Sequence, residues 1–206
     1  VILLINKKLN KGIIVPNKCG STSFECLATN SDDWTINDHL IRIWNQWGWE
    51  NLEWYGVIRN PVNWFISGYV YSQSTYLGNR KSPFDLHLKH VIYTRDYVKF
   101  HAKLPPKVTE YWFDHCVVTP DKQIKSTGLN IKSYLKLEDE NLNDIILDLF
   151  GSGLPEQNKG SIDYLPKISN ETVELLRQLD YGKEFGYNLD TYIEKYNKKL
   201  KEINTL

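Results

Sequence analysis

The feature that most constrains this chain is the stretch Gly12-Ile13-Ile14-Val15-Pro16-Asn17-Lys18-Cys19-Gly20-Ser21-Thr22-Ser23-Phe24. A short β-branched run reaches a proline, small and hydroxyl residues follow, and a helical pattern opens at Ser21. A strand–turn–helix junction of this kind gathers orphan backbone N–H groups at the positive end of a helix dipole, where phosphate and sulfate bind. Lys18 adds an ammonium to the same turn. The segment is read as the docking point of a phosphorylated nucleotide. It is not a triphosphate P-loop, which requires G-x-x-x-x-G-K-[ST]; here Lys18 precedes Gly20, with no earlier Gly in register.

Composition narrows the class. A chain of 206 residues suits one domain spanning 1–206. Its 25 basic and 25 acidic residues balance, so nothing global points to nucleic acid and any anion site must be local. The 3 Cys form no disulfide framework and favour a reducing compartment. No apolar run approaches a membrane span. Val1–Ile5 is too short for a signal-peptide core and is followed by Lys7 and Lys8, so it reads as an edge strand or helix start. These features predict a cytoplasmic protein without a membrane span. Met is absent, which processing, trimming or the omission of unusual residues would each explain. The 7 Trp and 13 Tyr are assigned mostly to an aromatic core.

Along the chain, Ser21 to Ala28 is predicted as the first helix, with Phe24, Leu27 and Ala28 inward. Thr35, with Asp38 three residues on, resembles a capping box for a helix through Leu40, Ile43, Trp44 and Trp47 that ends at Gly48. Trp54 to Ile58 reads as a strand. Pro61 fits a first helical position with Asn60 as its cap, and Val62, Phe65, Ile66, Tyr69 and Val70 form a helical stripe. Phe84 to Tyr93 is amphipathic, and the segment from Arg95 to Gly128 yields no clear pattern. Ile131 to Leu137 reads as a strand; Leu142, Ile145, Ile146 and Leu149 mark a helix ending at Gly151. Further helices are predicted around Val173, Leu176 and Leu179, and around Tyr192, Tyr196, Leu200 and Ile203. Strands alternating with helices predict an α/β fold: a mainly parallel central sheet flanked by helices, with ligands at the C-terminal strand ends.

A second motif reinforces the first. Val57-Ile58-Arg59-Asn60-Pro61 places Arg59 at a strand tip, where its planar fork suits bidentate phosphate binding. Ser67 lies two turns into the following helix, nearly above Asn60 and Asn63. The two motifs together resemble the sulfotransferases that use 3′-phosphoadenosine-5′-phosphosulfate (PAPS), particularly the carbohydrate branch and its soluble bacterial and viral relatives. The family's P-x-K-x-G-[ST]-[ST] loop is matched by Pro16-Asn17-Lys18-Cys19-Gly20-Ser21-Thr22. Its strand ending in V-[VI]-R-[DN]-P, with Ser eight residues after the Arg, is matched by Val57 to Pro61 and Ser67. Trp64 departs from the pattern, since many relatives carry Arg within this helix. Further on, Lys136 to Leu142 resembles the family's "E-N-L" segment, Asn158-Lys159-Gly160-Ser161 its cofactor-covering loop, and Tyr181 to Tyr187 its usual tail.

The resemblance implies a P-loop NTPase-like sulfotransferase fold and an enzyme that moves a sulfuryl group from PAPS to an acceptor hydroxyl on a carbohydrate. It implies that Lys18, Cys19, Gly20, Ser21, Thr22 and Ser23 surround the 5′-phosphosulfate, that Arg59 and Ser67 hold the 3′-phosphate, and that Lys159 and Gly160 cover the cofactor. Lys18 would neutralise charge growing on the leaving phosphate oxygen, with no metal required. The family's general base lies between the two motifs, and His39 is the only His there; Glu25, Glu50 and Glu53 are fallbacks. His115-Cys116 lacks the glycines of a phosphatase loop, and His87-x-x-His90 lacks a third metal ligand. Two other classes stay open: a nucleotide or small-molecule kinase of related fold, and a non-catalytic nucleotide-binding module. Acceptor specificity is assigned to the segment from Tyr71 to Gly128; oligomeric state is left open.

Overall fold

The computed structural model describes residues 1–38, 48–75, 118–155, 165–179 and 181–204. These fall into two compact units. One comprises Val1–Arg59 and Pro120–Ser161, the other Asn60–Thr119 and Ile162–Leu206.

The first unit is built on a five-stranded sheet. Its strands are β1 (Ile2–Asn6), β2 (Lys11–Val15), β3 (Thr35–Asp38), β4 (Glu53–Ile58) and β5 (Ile131–Lys136), in the order β3-β1-β2-β4-β5. β1 runs antiparallel to both β2 and β3, whereas β2 pairs with β4, and β4 with β5, in parallel. The sheet is therefore mixed and not mainly parallel as alternation had suggested. The reason is a tight reversal at Lys7–Asn10. The Asn6 side chain accepts from the Leu9 amide at 2.9 Å, the Asn10 amide donates to the Lys7 carbonyl, and Asn10 takes a φ of +56°. Asn tolerates that left-handed conformation better than most residues. β1 is thus folded back on β2 as a hairpin, and it lies inside the sheet, not at its edge.

Thr35–Asp38 is a second correction: it is strand β3 and not a capped helix start. Its backbone groups pair with β1, and Trp34 just before it stacks on Phe150 with ring centroids 4.2 Å apart. A long-range ladder here overrides a local capping signal. The continuation predicted through Leu40, Ile43, Trp44 and Trp47 lies outside the described residues.

Among the described residues, three α-helices belong to this unit: α1 (Ser21–Thr29), α3 (Pro120–Lys125) and α4 (Leu142–Phe150). α1 buries Phe24, Leu27 and Ala28 as its periodicity predicts, and Phe24 meets Phe150 of α4 edge to face. α4 ends at Gly151 in the left-handed region, φ +71°. α3 falls in the segment that gave no clear pattern. It packs on β4, where the missing side chain of Gly56 leaves room for Ile124; a Cβ there would lie 2.9 Å from Ile124 Cδ1.

The second unit contains α2 (Pro61–Thr75), α5 (Asn170–Arg177), α6 (Tyr181–Glu184) and α7 (Leu189–Asn204). The Asn60 side chain accepts from the Asn63 amide at 2.9 Å, so Asn60 caps α2 and Pro61 opens it. Val62, Phe65, Ile66 and Tyr69 are buried, as is Trp64. α7 packs on α2 and α5, and Tyr196 donates to the Pro166 carbonyl at 2.7 Å. α5 is capped by Ser169, which accepts from the Thr172 amide. Among the described residues, no helix is long and apolar enough to cross a membrane.

Gly12 faces Trp54 across the parallel β2–β4 pair, and a Cβ at Gly12 would lie 2.5 Å from two ring carbons of the buried indole. Gly12→Ala is accordingly expected to lower stability by about 1–3 kcal/mol, since the ring has nowhere to retreat in a packed sheet face. Urea unfolding followed by tryptophan fluorescence checks this through the transition midpoint.

Candidate functional site

Because β2, β4 and β5 are parallel, their C-terminal ends open at one edge of the sheet. Three connections meet there: Pro16–Gly20 after β2, Arg59 after β4, and Leu137–Glu138 after β5. The Leu137 amide donates to the Ile58 carbonyl at 2.9 Å, extending the β4–β5 ladder into the turn. A Cβ on Gly20 would lie 3.4 Å from Leu137 Cδ1, so the β2 and β5 connections lie side by side.

The turn after β2 has an unusual backbone. Lys18 takes a φ of +66° and Gly20 one of +80°. Glycine adopts this conformation readily; for lysine it stores about 1–3 kcal/mol and persists only where neighbours hold it. Several bonds do so. The Cys19 amide donates to the Pro16 carbonyl, the Asn17 amide to Gln123 Oε1 at 2.9 Å, and Arg59 Nη1 to the Lys18 carbonyl at 2.9 Å. The last of these joins the two motifs singled out in the sequence. The cationic residue of the turn and the cationic residue of the strand tip share one corner of the unit.

Gly20 is the N-cap of α1. No side chain caps this helix, and no acidic residue occupies its first turn. The first amides of an α-helix have no carbonyl one turn back to bond, so the positive end of the α1 dipole faces the turn without an anionic neighbour from its own sequence. Ser21 is half-buried, Thr22 exposed and Ser23 buried. Hydroxyls and amides thus alternate around an end suited to a multiply charged oxyanion.

Cys19 is fully buried between these groups. Burial pushes its thiol well above the ordinary range; Glu138 adds to the shift and Arg59 opposes it. The residue therefore fills space as a neutral thiol. Glu138 follows Leu137, whose amide bonds the Ile58 carbonyl, so the "E-N-L" segment begins at this end of the sheet.

Of the residues named from the sequence, Lys18, Cys19, Gly20, Ser21, Thr22, Ser23 and Arg59 are brought together in the first unit. Ser67 is half-buried on α2 in the second unit, one turn beyond Asn63 on the same helix. His39, Lys159 and Gly160 lie outside the described residues, as do His87, His90, His115 and Cys116. Among the fallback bases, Glu25 is half-buried on α1. Glu50 accepts from the Gly48 amide, and Glu53 pairs with Lys132 at 2.6 Å at the opposite end of β4 from Arg59. Among the described residues no three His, Cys, Asp or Glu side chains cluster to hold a metal. Sequence reasoning missed Gln123, whose bond to Asn17 spans 106 residues. A polar residue inside Asp121-Lys122-Gln123-Ile124-Lys125 carries no local mark of burial.

No family model matches the chain, and neither curated proteins nor solved structures supply a match.

A buried, neutral thiol does not react as a nucleophile. In the folded protein at pH 8, Cys19 is expected to resist iodoacetamide while the half-buried Cys26 is alkylated; peptide mass mapping before and after unfolding checks the contrast.

Proposed function

We propose that this chain is a PAPS-dependent sulfotransferase acting on an acceptor hydroxyl of a carbohydrate. One observation carries the reading: the bond from the Arg59 guanidinium to the Lys18 carbonyl, at the uncapped start of α1. It holds the strand-tip guanidinium against the backbone of Lys18, whose ammonium the family resemblance assigns to the other end of the same nucleotide. The residues of the corner fit the group. Amide donors at the α1 start suit a phosphosulfate, and a guanidinium suits a phosphate monoester bidentately.

In this reading Lys18 and the amides of Gly20 to Thr22 stabilise the charge that grows on the 5′-phosphate oxygen as the sulfuryl group departs. Such preorganised donors are worth about 3–4 kcal/mol each in comparable sites. The family resemblance assigns Arg59 and Ser67 to the 3′-phosphate, and Lys159 and Gly160 to the segment that covers the nucleotide. His39 takes the proton of the acceptor hydroxyl, a role commonly worth ~10²–10⁴-fold in rate. Cys19 contributes volume and a dry, uncharged floor.

The reading separates from its rivals by ligand. 3′,5′-Adenosine bisphosphate at a hundredfold excess over its dissociation constant is expected to stabilise the protein by about 2.7 kcal/mol. For a chain of this length that raises the melting temperature by roughly 5–10 °C. Lys18→Ala and Arg59→Ala are each expected to abolish most of the shift, read by scanning fluorimetry. A larger response to ATP with magnesium would instead favour a kinase. Nucleotide binding without sulfuryl transfer, and with a silent His39→Ala, would favour a binding module.

A further inference from the structure

We propose that Gln123 is a positioning residue of the anion-binding turn, holding the backbone into Lys18 so that the ammonium and the first amides of α1 face one point. The inference rests on the nucleotide-binding reading above and adds a residue that neither motif contains. Gln123 is only 4% exposed, and its side-chain oxygen accepts from the Asn17 amide at 2.9 Å. A buried glutamine is uncommon, and its burial is tolerated when its polar atoms are bonded.

The element that carries it is anchored. Ile124 occupies the space left by Gly56 on β4. The Ser126 hydroxyl donates to the Gln123 carbonyl at 2.7 Å and the Thr127 hydroxyl to the Ile124 carbonyl at 2.6 Å, closing the end of α3. Gln123 therefore reaches the turn from a fixed support. It grips the amide immediately before Lys18, the residue whose positive φ has to be held from outside.

Charge explains why the residue is a glutamine. Arg59 also holds the turn, but as a cation it interacts with a bound anion as well. The amide of Gln123 supplies an acceptor without net charge, so it fixes the backbone without repelling a phosphosulfate. A carboxylate at the same reach would hold the loop equally well and weaken the anion. Position and affinity are thereby separable at one residue.

The test uses Gln123→Met, of similar length and lacking an acceptor, and Gln123→Glu, which keeps one. Amide hydrogen exchange is followed over residues 16–20, with β5 as internal reference, alongside 3′,5′-adenosine bisphosphate binding by calorimetry. Gln123→Met is expected to speed exchange at Asn17 at least tenfold with β5 unchanged, and to weaken the bisphosphate at least tenfold. Gln123→Glu is expected to keep wild-type protection at Asn17 while binding the bisphosphate more weakly at pH 8, with recovery as the pH is lowered and the carboxylate is neutralised. Unchanged exchange in Gln123→Met overturns the proposal, as does faster exchange with unaltered affinity. Should Gln123→Met fail to fold, loss of Asn17 protection in Gln123→Glu overturns it equally. A wild-type protein indifferent to the bisphosphate refutes the nucleotide reading instead, and the exchange comparison alone then decides on Gln123.

Discussion

The parallel pairing of β2 with β4 is the constraint on which the rest of the first unit depends. Register Gly12↔Trp54 through Ile14↔Gly56 aligns the two strands so that each ends at the same edge. Only then do the turn after Val15 and the guanidinium after Ile58 come within a hydrogen bond of each other. Two glycines make this pairing possible: Gly12 yields its side-chain volume to Trp54, and Gly56 yields its own to Ile124. The sheet face is filled by large neighbours reaching into spaces the glycines leave.

At that edge the backbone and the electrostatics serve one another. Left-handed conformations at Lys18 and Gly20 turn the chain sharply from strand to helix. The uncapped start of α1 then sits where the turn ends, and Cys19 seals the space behind it as a neutral side chain. A strained turn of this kind needs external support. That support comes from Arg59 and from Gln123, each on an element distant in sequence. The second unit also joins segments distant in sequence, with α7 packed on α2. Asn60 caps α2, Ser169 caps α5, and Arg177 bridges α5 to Asp190 of α7 at 3.0 Å.

Much of this was legible from residue order because it depends on neighbours within a turn or two. Helix α1 with its inward Phe24, Leu27 and Ala28, the Asn60–Pro61 start of α2, the strand ending at Arg59, and Gly151 closing α4 all follow from short-range pattern and capping. Most residues of the candidate site were legible for the same reason, since Lys18 to Ser23 are consecutive. Thr35–Asp38 misled because its capping-box spacing is real, yet its backbone is claimed by β1, some thirty residues earlier. The β1–β2 reversal escaped notice because Lys7-Lys8-Leu9-Asn10 lacks the glycine of common hairpin turns, and Asn6 and Asn10 supply the turn chemistry in its place.

By itself, the order of residues determined helices α1, α2, α4, α5 and α7, strands β2, β4 and β5, and the turn of small and hydroxyl residues before α1, because those outcomes rest on propensity, periodicity and backbone groups close along the chain. Only the tertiary structure decided strand order and direction, the burial that silences Cys19, and the meeting of Lys18 with Arg59 and of Asn17 with Gln123. Those depend on which distant surfaces find complementary partners, and a one-dimensional pattern holds no distance between residues 17 and 123.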